Sequence, residues 1–143
     1  MSSTTKTIGD IGEAVLTAEF LKNNIQVLKP VGDNLPFDLL IMVKGEFKKI
    51  QIKTTRKVVD GKMVFRTNVT NPYKKTYRKY TENEVDYFGL YCLENNYVGL
   101  LPFCDYTCRD TVIRTTRPLN NQINRAKMSE DYEFSKIVNE KFK

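Results

Sequence analysis

Residues 36–53 read PFDLLIMVKGEFKKIQIK, and the fold turns on them. Residues 39–43, LLIMV, form an unbroken apolar run of strand length. Phe47, Ile50 and Ile52 mark a second run, with Lys44-Gly45-Glu46 as the turn between. Both runs are bounded by proline, glycine or charge, which predicts a β-hairpin. Side chains alternate along a strand, so Gln51 and Lys53 share one face while Ile50 and Ile52 take the other. Pairing around Gly45 carries Asp38, which opens the first strand, toward Gln51 and Lys53 at the hairpin's open end. A carboxylate, an amide oxygen and an ammonium then converge. A hard cation such as Mg²⁺ takes oxygen ligands and keeps water. A lysine beside it can hold or activate an attacking water and offset charge building on a phosphate. The competing reading is a surface hairpin with a solvated polar face.

Upstream, Ile11, Val15, Ala18 and Leu21 recur at helical spacing with Leu16 and Phe20 beside them. They predict a helix over about residues 8–23, capped by Thr7 with Asp10 three residues on, and ended by Asn23-Asn24. Glu13 sits on its first half. Gly9 and Gly12 lower helix propensity there by about 1 kcal/mol each relative to Ala, but they let another backbone come close. Residues 25–28 form a short strand stopped by Lys29-Pro30. A helix followed by strands makes an α+β pattern with an antiparallel or mixed sheet.

Downstream, Asp60-Gly61 is a turn, and Met63, Val64, Phe65, Thr67 and Val69 continue as one strand broken at Asn71-Pro72. Residues 70–81, TNPYKKTYRKYT, interleave Tyr73, Tyr77 and Tyr80 with four basic residues and lack a period that would bury one face. They read as a loop, either solvated or suited to phosphates with stacking on sugars or bases. Residues 85–93 and 97–103 form an apolar hairpin about Glu94-Asn95-Asn96 and read as core. After a short helix, residues 111–115 form a strand. The polar run RTTRPLNNQINRAK is a linker or a nucleic-acid-contacting arm. Ser129 caps a last helix with an apolar stripe of Phe134, Ile137, Val138 and Phe142.

The chain has 143 residues, the size of one domain. No apolar run is long enough to span a membrane, and the first ten residues lack the apolar core of a secretory signal. The expectation is a protein of the cytoplasm or nucleoid. Three cysteines suggest no disulfide framework. Cys104 and Cys108 make at most half a zinc site, because the chain has no histidine. The same absence excludes Ser-His and Cys-His nucleophilic catalysis. Net charge is +6, yet residues 44–79 carry twelve Lys/Arg against only Glu46 and Asp60. A basic block around a candidate metal site points to a polyanion, and nucleic acid is the obvious one.

Glu13 on a first helix, Asp38 after a proline and Gln51-x-Lys53 on the next strand together resemble the PD-(D/E)XK nuclease superfamily. The text GDIGEAVLTAEFLKNN, VGDNLPFDLL, FKKIQIKTT and TYRKYTENEVDYFGLY is similar to its branch of small intron-encoded homing endonucleases and archaeal-type Holliday junction resolvases. The resemblance covers about residues 8–103, with residues 104–143 as a basic arm and C-terminal helix of one nuclease domain. It implies an α+β, restriction-endonuclease-like core: a mixed central β-sheet flanked by helices. It implies a Mg²⁺-dependent DNA endonuclease, with Mn²⁺ as substitute. Asp38, Gln51 and the carbonyl of Ile52 would be metal ligands, Lys53 would handle the water, and Glu13 would assist from the helix. The superfamily usually has an acid where this chain has Gln51, which removes one negative charge. QxK is similar to the homing-endonuclease variant, whereas junction resolvases more often keep the acid. A DNA-binding protein with a degraded site is the remaining alternative. Double-stranded DNA would contact Lys49, Arg56, Lys57, Arg66, Lys74 and Lys75, then Arg78 and Lys79. Arg114, Arg117 and Arg125 would form a second contact. Cutting both strands predicts a homodimer or homotetramer, with subunit contacts from residues 85–103 or the last helix.

Overall fold

The computed structural model describes residues 4–71, 73–107, 109–117 and 126–143. In chain order the elements are helix α1 (Thr5–Lys22) and strands β1 (Val27–Leu28), β2 (Leu39–Val43), β3 (Glu46–Thr55), β4 (Lys62–Arg66), β5 (Val69–Asn71), β6 (Thr76–Arg78), β7 (Tyr87–Cys92), β8 (Tyr97–Pro102), β9 (Asp110–Arg114) and β10 (Lys127–Met128). Helix α2 (Phe134–Ile137) follows and widens into π-type turns over Val138–Phe142.

The predicted hairpin is β2 and β3, antiparallel, with Val43 opposite Glu46. Lys44 and Gly45 form its two-residue turn, both with positive φ (51° and 81°), the geometry that matches the strands' right-handed twist. The strand β3 has ten residues against five in β2. Pairing with β2 stops at Ile50. From Ile50 to Thr55 the other edge of β3 pairs in parallel with β7. The result is a five-stranded mixed sheet in the order β1-β2-β3-β7-β8, as the resemblance implies.

Two apolar clusters lie on opposite faces of this sheet. Leu16 and Phe20 of α1, Ile50 and Ile52 of β3, and Phe134 and Ile137 of α2 belong to one. Phe88 and Leu90 of β7 join Met63, Phe65 and Ile113 in the other, beneath a three-stranded sheet ordered β10-β9-β4. Side chains of this size, fully buried, each contribute about 1.5–3 kcal/mol, so these two clusters dominate the fold's stability.

Several expectations shift. Thr4, not Thr7, caps α1, its hydroxyl accepting the Thr7 N–H. The earlier start adds the turn that buries Ile8. The covered face is Ile8, Gly12, Leu16 and Phe20, while Ala18 and Leu21 are exposed. Asn24 ends the helix with φ of 59°. Its N–H reaches Leu21 O while Ile25 N–H reaches Phe20 O, both bonds of a Schellman motif. The strand expected through Thr67 and Val69 divides at Thr67, which is buried and bonded to the Thr111 hydroxyl at 2.8 Å. Val69–Asn71 then pairs with Thr76–Arg78, so the expected loop is a small exposed hairpin. Its cross-strand bonds carry it, which is why no buried face shows in its sequence. Ser129 starts a short 3₁₀ turn instead of the last helix; Glu133 stands at the N-cap of α2, with no side-chain cap. The short helix expected after residue 104 is a 3₁₀ turn over Phe103–Asp105. Residues 88–92 and 99–102 are buried within the chain, and the apolar stripe of the last helix is in the first cluster. The apolar side chains expected at a subunit contact thus already pack inside one copy. Cys108 lies outside the described residues.

Candidate active site

The end of β2 pairing creates the site. Beyond Ile50, the edge of β3 facing β2 has no strand partner, and Asp38 takes its place. The Asp38 N–H donates to Ile50 O at 2.8 Å, and the Asp38 carboxylate accepts the Ile52 N–H at 2.9 Å. A strand residue's N–H and carbonyl lie on the same edge, so the Ile52 carbonyl shares Asp38's side. Gln51 and Lys53 stand opposite Phe88 and Leu90 in the β3–β7 register. Their side chains therefore share the face of the second apolar cluster, as the alternation predicts, and Ile50 and Ile52 share the other.

Helix α1 brings Glu13 in. It crosses β3 at Gly12, where an added Cβ would stand 2.0 Å from Thr54 Cγ2. Gly12 is thus a point of close approach, but to side chains of Thr54 and Ile52 where the sequence suggested another backbone; Gly9 has nothing within 4 Å of such an atom. Glu13 is half-buried and pairs with Lys29 Nζ at 3.5 Å. At that exposure the pair contributes under about 1 kcal/mol, and its effect is to orient the carboxylate.

The charges interact. Burial raises the Asp38 carboxyl above its ordinary pKa. The Ile52 N–H opposes this, Glu13 adds to it, and Lys53 opposes it. Burial lowers Lys53 below the ordinary lysine value, opposed by Asp38. Each charge is thus held in a place that disfavours it, a pattern that clusters at functional sites. The Lys53 ammonium also lies 5.1 Å from the centre of the Tyr80 ring.

Two hollows flank this junction. One, of about 370 Å³, is lined by Glu13, Asp33 and Asp38 with Lys29. The other, of about 750 Å³, runs between the first turns of α1, β3 and β4. Lys53, Arg56, Lys57, Lys62 and Arg66 line it, with no acid among its described lining.

A family model for PD-(D/E)XK endonucleases matches residues 3–135. The chain belongs to this family. The nuclease is also similar to a solved structure, that of the bacterial homing endonuclease I-Ssp6803I. The two are 27% identical with a TM-score of 0.67, over 94% of this chain and 89% of the other. No curated protein sequence matches the chain.

Nucleases of this family generally use divalent metal ions, and the donors present suit one. They are two carboxylates, an amide and a backbone carbonyl, all oxygen, as a hard cation requires. Among the described residues no three His, Cys, Asp or Glu side chains, Glu13, Asp33 and Asp38 included, stand so that they could together hold a metal ion. An ion here would depend on few carboxylates together with neutral oxygens and water. Of the two cysteines that make at most half a zinc site, Cys104 is exposed and Cys108 lies outside the described residues.

The expected nucleic-acid contacts divide. Arg66 and Lys57 line the basic groove with Arg56, and Lys74, Lys75 and Arg117 are exposed. Lys49 is engaged by the protein, its Nζ donating to the Asn83 carbonyl. Arg78 forms a two-point pair with Glu84 at 2.8 and 3.0 Å, which holds the Glu84 carboxyl down at about 2. Lys79 donates to the Thr107 carbonyl, and Arg114 to the Thr116 carbonyl. Arg125 lies outside the described residues. The sequence marks Lys62 only as one cation of the basic block and Tyr80 only as one of the interleaved tyrosines, and it does not mark Lys29. Lys29 precedes a proline in a loop, and Tyr80 is one of three similar tyrosines; Tyr73 is 97% exposed and Tyr77 57%, but Tyr80 only 8%.

Proposed function

We propose that this nuclease is a site-specific, Mg²⁺-dependent DNA endonuclease of the homing type, with Mn²⁺ able to substitute. The observation that carries the reading is the Asp38 carboxylate held by the Ile52 N–H beside Lys53, where β2 stops pairing. The likeness to a bacterial homing endonuclease over nearly the whole chain supports the homing type.

Asp38, the Gln51 amide oxygen and the Ile52 carbonyl would hold the ion. Bound there, it would polarise the phosphate and lower the pKa of water. Lys53 orients the attacking water. Desolvation loosens its proton, so its amine form is reached more readily and can take a proton from that water. As an ammonium it offsets charge on the phosphate. Glu13 positions the assembly from α1, through water. The product is a cut phosphodiester with no covalent enzyme intermediate. The exposed groove cations take the DNA backbone. One nuclease domain spans residues 1–143, and copies associate as a homodimer or homotetramer to cut both strands.

Cleavage in Mg²⁺ tests this, with the parent and Lys53→Ala side by side on a random duplex pool and a synthetic four-way junction. The expected result is cutting of a few duplex sequences by the parent alone. Cutting of the junction alone would make the protein a junction resolvase. Binding without cutting in Mg²⁺ or Mn²⁺ would make it a DNA-binding protein with a degraded site.

A further inference from the structure

Lys53 reaches the site through four rotatable bonds, and the charge that draws it, Asp38, is a single carboxylate. The protein supplies a second restraint. The ammonium lies 5.1 Å from the Tyr80 ring centre, within the range of an attractive contact with the ring's negative face.

Tyr80 is itself held from several sides. Its N–H donates to the Tyr106 hydroxyl at 3.2 Å. Its ring meets Phe88 edge to face, centres 5.4 Å apart, and Phe88 in turn packs on Tyr106 at 4.8 Å. Tyr106 donates to the Thr67 carbonyl. The loop on either side of Tyr80 is closed by the Arg78–Glu84 pair, and Glu84 also accepts the Thr81 N–H at 3.0 Å. Tyr73 and Tyr77, in the same run of tyrosines, have no comparable burial.

We propose that Tyr80 is a positioning residue, whose ring holds the Lys53 ammonium at the Asp38 end of β3 before substrate arrives. This rests on the proposed role of Lys53. Ordering a flexible side chain in advance leaves less to be ordered at the reaction step. The ring does this work, so the hydroxyl is dispensable. A phenylalanine should serve and an aliphatic side chain of similar size should not.

The test compares the parent with Tyr80→Phe, Tyr80→Met, Tyr80→Leu and Lys53→Ala. Single-turnover cleavage in Mg²⁺ is measured on a duplex that the parent cuts, and DNA affinity is measured in EDTA. NMR of lysine labelled at the ε-carbon reports the Lys53 methylene, assigned by its loss in Lys53→Ala. In the parent, ring current shifts this signal away from the other lysines. Tyr80→Phe should keep the shift and cut within about threefold of the parent. Tyr80→Met should lose the shift and cut about 10–100-fold more slowly, an effect of the size expected when a reacting group is misplaced, with affinity unchanged. Tyr80→Leu should match it; if either variant fails to fold, the other carries the comparison.

Three results would overturn the proposal. Tyr80→Phe as slow as Tyr80→Met would assign the effect to the hydroxyl. An unshifted Lys53 signal in the parent would show that the ring does not hold it. A folded aliphatic variant as fast as the parent would remove Tyr80 from the reaction. Failure of the underlying reading is separate: Lys53→Ala would then cut like the parent.

Discussion

The two hollows beside the Asp38–Lys53 junction differ in sign. The smaller holds Glu13, Asp33 and Asp38 against one lysine. The larger holds Lys53 and four more cations and no described acid. A cation is favoured in the first and a polyanion in the second, and the proposed reaction lies where they meet. The division has a geometric origin. The β2-side edge of β3 beyond Ile50 is open and admits Asp38, whereas Lys53 projects from a face of the strand. On the acidic side, Asp38 is thus fixed by main-chain hydrogen bonds along that edge, while Glu13 comes from α1 and Asp33 from a loop. The basic side is built on long side chains, which adapt. A metal site needs the first kind of rigidity, and a nucleic-acid backbone tolerates the second.

Removing the charge at the boundary should have the largest effect. Lys53→Ala should slow cleavage by roughly 10²–10³-fold or more, the range for losing a charge-stabilising group in a transition state, while affinity in EDTA changes little. Equal losses of rate and affinity would make Lys53 a groove cation like the others.

Moving Glu13 away from Asp38 should come next. Gly12→Val places a branched side chain into Thr54 and should destabilise by about 1–3 kcal/mol, read as a lower Tm. Gly9→Ala, in open space, should instead raise stability by up to about 1 kcal/mol. A loss of equal size in both would mean that α1 does not approach β3 through Gly12.

The basic hollow alone should respond to salt. Lys62→Gln with Arg66→Gln should weaken binding at low salt and reduce the slope of log affinity against log salt by about 0.9 for each phosphate that the variant no longer neutralises. Single-turnover cleavage of saturated DNA should stay near parental. An unchanged slope would place the DNA elsewhere.

The smallest effect concerns the acidic side. In metal-free protein the folded pKa of Asp38 lies above its ordinary value, so the charged form costs stability. That cost is absent below the ordinary carboxyl pKa and grows as pH rises through the raised one. Asp38→Asn should therefore gain Tm relative to the parent at pH 7, and the gain should shrink as the pH is lowered toward about 4, the ordinary carboxyl range. The difference should be a few degrees. A gain that does not change with pH would assign it to packing.

Much of this was legible because it is local. The β2–β3 hairpin follows from two apolar runs around Lys44-Gly45. The shared face of Gln51 and Lys53 follows from a period of two, and Glu13 on the first helix from helical spacing. The exposed β5–β6 hairpin was illegible because no buried face marks it, and the cap at Thr4 because several threonines compete there.

The sequence by itself determined which chemistry is available: oxygen donors and a lysine, no histidine, brought to one hairpin end by short-range pairing. Only the tertiary structure decided which neighbours complete it. Insertion of β7 beside β3 pairs residues more than thirty positions apart, and the burial of Tyr80 against Phe88 depends on that insertion. So does the choice of Tyr80 over Tyr73 and Tyr77 as Lys53's neighbour. Contacts at such separation are set by competition among whole faces for burial, and no local pattern of residues encodes which face wins.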